Sequence, residues 1–103
     1  MVKIKISRQA QKDMWRIYNY VSEDSVQNAE MLMEKFISKI DSLAKYPERG
    51  KIVKEISNPL IKEILVYKFR IIYRLYSKTV RIITIHHSSR LMINNPFIRY
   101  YLK

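Results

Sequence analysis

Lys68-Phe69-Arg70-Ile71-Ile72-Tyr73-Arg74-Leu75-Tyr76-Ser77 is the stretch on which the fold turns. Side chains alternate across a strand, so this run has two unlike faces. Phe69, Ile71, Tyr73 and Leu75 fall on one, all apolar or aromatic. Arg70, Ile72, Arg74 and Tyr76 fall on the other. The first face needs a hydrophobic layer to meet; the second carries Arg70 and Arg74 away from that layer, onto an open face. Two more β-rich runs flank it, Ile61–Tyr67 and Thr79–His87, and Ser77-Lys78-Thr79 reads as a tight hairpin turn even without the strongest turn dipeptides. In the last run Ile83, Ile85 and His87 alternate with Thr84 and His86, so the adjacent histidines point to opposite faces.

The hydrophobic layer comes from upstream. Ala10, Met14, Ile17, Tyr18 and Val21 recur at spacings of three and four, an apolar helical stripe that Ser7 can cap. Ser22-Glu23-Asp24-Ser25 breaks that helix, and Ser25 can cap a second one carrying Ala29, Leu32, Met33, Phe36, Ile40 and Leu43. Tyr46-Pro47-Glu48-Arg49-Gly50 ends it, Pro because it cannot continue a helix and Gly to relax the turn. Two helices joined by so short a loop form an antiparallel hairpin. Val2-Lys3-Ile4-Lys5-Ile6 opens the chain as a short strand. Lys51 to Pro59 is irregular, with a short strand expected near Ile52-Val53. In the tail Asn94-Asn95-Pro96 is a turn, and Phe97 to Leu102 reads equally as a short helix or a short strand. The order is β-α-α-β-β-β: an α+β fold, an antiparallel sheet with an N-terminal helical hairpin on one face.

With 103 residues the chain is expected to be a single domain, 1–103. It is 48% hydrophobic with one Gly and three Pro, a globular composition. There is no Cys, which excludes a disulfide scaffold or a thiolate metal site and suits a reducing cytoplasm. The first residues lack the apolar core of a secretory leader, and no apolar run approaches the roughly 20 residues of a membrane span. The formal net charge is +11. Residues 1–50 hold nine Lys/Arg and seven Asp/Glu, a net of +2; residues 51–103 hold eleven and two (Glu55 and Glu63), a net of +9. The positive field therefore belongs to the C-terminal half, where it attracts polyanions: nucleic acid, an acidic protein or an anionic surface.

Arg70, Arg74, one His and Arg90 are expected to converge near one edge of the open face. Arginine forks bind phosphate or carboxylate bidentately. Beside a histidine as acid or base they suit metal-free RNA cleavage, with Arg stabilising the phosphorane charge. Plainer readings stand beside this one. A strand-face Arg is usually solvated or in a weak surface ion pair, and a His at a strand end is more often structural than catalytic. Two adjacent strand histidines cannot share a metal ion, so no metal site is expected. Tyr18 and Tyr20 read as packing on the helical stripe; Tyr100 and Tyr101 read either as base-stacking residues or as core cover. No Gly-rich phosphate loop, paired-carboxylate site or nucleophile elbow is present, and no cofactor is implied.

The same residues resemble a known family. Ser7-Arg8-Gln9-Ala10-Gln11-Lys12-Asp13-Met14 resembles the "S-x-x-A-x-x-D-hydrophobe" opening of RelE/ParE toxins, continued by Ile17-Tyr18-Asn19-Tyr20. Tyr46-Pro47-Glu48-Arg49-Gly50-Lys51 resembles their "P-x-x-G-[RK]" corner. Ile61-Lys62-Glu63-Ile64 resembles "h-R-E-h" with Lys in place of Arg, Lys68 to Arg74 resembles "Y-R-I-I-Y-R", and Ile85 to Arg90 ends in "H-x-x-R". Each motif is short, but their order and spacing run over residues 2–92.

The resemblance implies the toxin of a bacterial type II toxin–antitoxin system: a cytoplasmic, growth-inhibiting, plasmid-stabilising protein held in a hetero-oligomer by a cognate antitoxin. The acidic, partly disordered segment of that antitoxin would fold as it wraps the toxin. RelE-like members are ribonucleases that cut mRNA on the ribosome; ParE-like members poison DNA gyrase and cut no nucleic acid themselves. Arg70 matches an arginine that the ribonucleases use at the scissile phosphate, Arg90 a closing arginine of both branches, and His87 the family's histidine. The ribonucleases' catalytic lysines on the preceding strand have Ile61 and Glu63 in their places, and Lys62 points to the other face. The long hairpin, Glu63 and the "H-x-x-R" ending favour the ParE-like branch. Whether the chain is an enzyme stays open on this reading. If it is a ribonuclease, Arg70, His87 and Arg90 are its centre. If it binds a target or its phosphates, Arg70, Arg74 and Arg90 do so. A degenerate toxin kept as a binding module is the third alternative.

Overall fold

The computed structural model describes residues 1–99. Strand β1 (Lys3–Ile6) leads into helix α1 (Arg8–Ser22), then α2 (Val26–Ser42), β2 (Lys51–Ile52), β3 (Ile61–Val66), β4 (Phe69–Leu75) and β5 (Thr79–His87). A 3-10 turn at Met92–Asn94 and a short helix α3 (Pro96–Arg99) follow. The tail thus takes the helical alternative as far as Arg99, while Tyr100 and Tyr101 lie outside the described residues. Both helix starts are capped as the sequence suggests: Ser7 Oγ accepts from the Ala10 N–H (3.0 Å) and Ser25 Oγ from the Asn28 N–H (3.1 Å).

The sheet has five strands in the order β1-β5-β4-β3-β2. The neighbours from β2 to β5 are antiparallel, and β1 joins the free edge of β5 in parallel. Ile64, Val66, Ile71, Tyr73, Val80, Ile82 and Ile85 meet Ala10, Leu32, Phe36, Ile40 and Leu43 in the main core, so the face of β4 assigned to the helices is the one that packs there. Tyr20, expected to pack, is instead 77% exposed: it lies off the buried stripe, while Tyr18 is half-buried and stacks on the exposed Trp15.

Two corrections concern the other face. It is not open. Ile61, Ile72 and Ile83 lie on it and form a second core with Val53, Ile56, Met92 and Ile98. The segment after β2 and the 92–98 segment lie over it, because an apolar strand face left in water forgoes roughly 25 cal/mol per Å². At one end of this outer face Lys5 and Arg81 are exposed and Arg74 is half-buried, and at the opposite end Leu65 is 47% exposed. The second correction is a β-bulge. Ile72 pairs with Thr84 but Tyr73 pairs with Ile82, which leaves Ile83 as an extra residue on β5. Ile83 and Ile85 therefore go to different cores, not one face.

Candidate functional site

Around Arg70 the outer face is built from β3, β4 and β5, held in register. Arg70 on β4 stands opposite Leu65 on β3 and His86 on β5. His86, not His87, shares its face. His87 pairs with Phe69 and turns towards the helix side, its ring 5.2 Å edge-on from the Phe69 ring, with Nδ1 accepting from the Ser89 N–H. The expected trio of Arg70, His87 and Arg90 is thus split by the sheet. Arg74 is separated as well, four residues along β4, or about 13 Å at roughly 3.3 Å per residue.

Arg70 is clamped. Its Nε donates to Glu63 Oε1, and its two terminal nitrogens donate to the Glu55 carboxylate at 3.0 and 2.8 Å, a bidentate fork. The Arg70 side chain is 12% exposed, that of Glu63 9% and that of Glu55 41%. Hydrogen bonding from Arg70 holds the Glu55 carboxyl at about 2, below its ordinary 4.5. The same contact pushes the Arg70 guanidinium up. One cation thus faces two carboxylates, and its own positive charge is taken up by them. Lys62, paired with Tyr73, points to the helix side and donates to the Gly50 carbonyl (3.3 Å).

His86 is buried and both ring nitrogens are occupied. The Phe97 N–H donates to Asn95 Oδ1 (2.9 Å), which leaves the Asn95 amide NH2 to donate to His86 Nδ1 (3.0 Å). Nε2 then carries the proton and donates to the Arg90 carbonyl (2.9 Å), a tautomer assigned from the network. His86 ties the strand to the tail. The Arg90 side chain is exposed and in no ion pair among the described residues. Arg74 lies 4.9 Å over the Tyr76 ring, and its Nε is buried without a hydrogen-bond partner. No group of three His, Asp or Glu among the described residues could hold a metal.

These features meet a decisive comparison. The family model of the ParE toxin of the type II toxin–antitoxin system parDE matches residues 4–92. The chain belongs to the ParE toxin family. Among solved structures, this ParE-family chain is similar to one of a chromosomal ParDE toxin–antitoxin system from P. aeruginosa. The TM-score is 0.70 at 20% identity, over 84% of this chain and 96% of that one. It is also similar to a structure of the RelBE2 toxin–antitoxin complex from Mycobacterium tuberculosis, with TM-score 0.54 at 18% identity and the same coverage of 84% and 96%. These likenesses bear on the fold. No curated protein matches the chain significantly. No helix among the described residues is long and apolar enough to cross a membrane.

Several residues that shape this cluster have structural roles the sequence does not announce. Glu55 sits in an irregular segment, and only the loop's path over the sheet brings it to Arg70. Asn95 lies in the Asn94-Asn95-Pro96 turn, yet it also holds His86. Asp13, part of the opening motif, is buried and accepts from Thr84 Oγ1 and from the Ile85 N–H (3.0 Å), beside the bulge. A buried Asp on an apolar helical stripe was the available signal, because a buried carboxylate needs donors.

Proposed function

We propose that this chain is the toxin of a type II toxin–antitoxin pair that acts in the cytoplasm without cutting nucleic acid, by inhibiting DNA gyrase. The observation that carries the non-enzymatic reading is the clamp on Arg70. A ribonuclease needs that guanidinium free for a scissile phosphate, whereas here Glu55 and Glu63 fill it and repel an anion. Ile61 and Glu63 in the places of the ribonuclease lysines support the same reading. Arg70 is then a structural cation, and Arg74 and Arg90 remain as target contacts. The alternative, an mRNA endonuclease centred on Arg70, His87 and Arg90, requires the clamp to open and His87 to reach the opposite face.

A cognate antitoxin is the natural partner, as the two solved relatives are toxin–antitoxin systems. Exposed apolar side chains on the helical hairpin offer it surface: Trp15, Met31 and Ile37 are 67%, 54% and 43% exposed. The test is direct. The purified chain should block gyrase supercoiling and leave mRNA on ribosomes intact in cell-free translation. Intact supercoiling with cut mRNA would reverse the assignment. Normal bacterial growth under strong expression without antitoxin would remove both active readings and leave the degenerate binding module.

A further inference from the structure

The β1 end of the outer face carries a row of cations. Lys5 on β1, Arg81 on β5 and Arg74 on β4 stand in register across three adjacent strands. Their strand neighbours Ile6, Ile82 and Tyr73 turn into the helix-side core, so all three basic side chains lie on the other face. Lys3 occupies the same face two residues along β1. Lys3, Lys5 and Arg81 are exposed. The strands β1, β4 and β5 contain no Asp or Glu, and the ion pairs found among the described residues belong to Arg70. Like charges directly opposite on neighbouring strands destabilise a sheet. Here the arrangement occurs twice, Lys5 against Arg81 and Arg81 against Arg74, and among the described residues none of the three is in an ion pair. Beside the row, the Arg74 guanidinium covers the ring of Tyr76, which is 48% exposed.

We propose that this row binds the phosphodiester backbone of a single-stranded polynucleotide. Lys3, Lys5 and Arg81 take phosphates, and the Arg74–Tyr76 stack meets a base. The proposal deepens the reading in which the basic face meets the target, by naming the chemistry it grips. An acidic protein segment would satisfy the cations but leave the guanidinium–aromatic stack unused, whereas every base brings a π-face to it. Arg70 takes no part, since its carboxylates repel the backbone.

The test is fluorescence anisotropy of the full chain with labelled oligouridine and oligothymidine of about 15 nucleotides, across a salt series. Binding should weaken with salt, log K falling with log salt at a slope of about −2 for three phosphates. Lys5→Gln/Arg81→Gln should weaken binding about tenfold and flatten the slope by about 1.4. Lys12→Gln/Arg16→Gln, an equal charge change on α1, should cost about twofold or less. Tyr76→Leu should weaken binding about fivefold with the slope unchanged, and Tyr76→Phe should restore it. A preference for the uridine strand names RNA as the source and a preference for thymidine names DNA; either supports the proposal, as does equal binding. Equal losses in the two double variants, or no binding to either strand, would overturn it. So would competition by oligoglutamate as strong as by the unlabelled strand, which would make the row an acidic-protein dock. Gyrase is absent from this assay. A chain that binds strands but spares supercoiling therefore removes the gyrase reading alone, and one that inhibits gyrase but binds neither strand removes this proposal alone.

Discussion

At Gly50, a Cβ would stand 2.5 Å from the Tyr73 hydroxyl and 2.6 Å from the Glu63 carbonyl. The sequence suggested a glycine that relaxes a turn, but none of the chain's positive-φ residues is a glycine. The requirement is space: the Gly50 N–H donates to Tyr73 Oη (3.0 Å), which itself donates to the Pro47 carbonyl (2.9 Å). Gly50→Ala should cost about 2 kcal/mol or more in urea unfolding; a loss below about half that would mean the corner yields freely. Glu55 sets a pH dependence of its own. Its folded value of about 2 lies below its ordinary 4.5, so its contribution is present above pH 4.5 and fades as pH falls towards 2. The side chain is 41% exposed, so solvent screening reduces that contribution to on the order of 1 kcal/mol. Unfolding from pH 6 down to pH 2, on the order of the titration range, should show a smaller fall in Glu55→Gln than in the parent chain. Identical profiles would show that the Glu55 arm of the clamp stabilises nothing.

Elements were easier to read than their seams. The two helical stripes, their Ser caps and the three long strands follow from periodicity, because one-sided burial imposes the period of 3.6 or 2 on the sequence. The Tyr67-Lys68 turn between β3 and β4 was marked only as a break between two runs. It bends at Tyr67 with φ 52 although it holds no Gly, Asn or Asp. The bulge at Ile83 was illegible for a related reason: Ile82-Ile83 offers the same side chain to either face, so composition does not show where the alternation slips. Asp13 is what the fold uses at that seam, binding α1 to Thr84 and Ile85. Asp13→Ala should leave buried donors unpaired and cost about 2–4 kcal/mol in chemical unfolding. Solvent-facing Asp24→Ala, at the α1–α2 turn, should stay within about 0.5 kcal/mol. Equal effects from the two would refute a seam held by the carboxylate.

The whole molecule sorts its basic residues by what lies above the sheet. The expected cluster of Arg70, Arg74, His87 and Arg90 assumed a bare face. Ile72 between the two arginines already required a cover, and that cover carries Glu55 in and leaves Arg74 out. Arg70 thereby holds the cover down, while the exposed Lys3, Lys5 and Arg81 lie at the other end. Removing Arg70 alone does not test this, since Arg70→Ala strands the buried Glu63 and should cost about 3–5 kcal/mol, abolishing toxicity by unfolding on any reading. Arg70→Met/Glu63→Leu removes the buried pair together and leaves Glu55 free to turn to water. Its stability should fall within about 2 kcal/mol of the parent chain, because a buried ion pair exchanged for apolar groups of similar size is often neutral. On the gyrase reading this variant still arrests growth when expressed without antitoxin. A chain that keeps its circular dichroism and unfolding midpoint yet no longer arrests growth would return Arg70 to the functional centre and revive the nuclease.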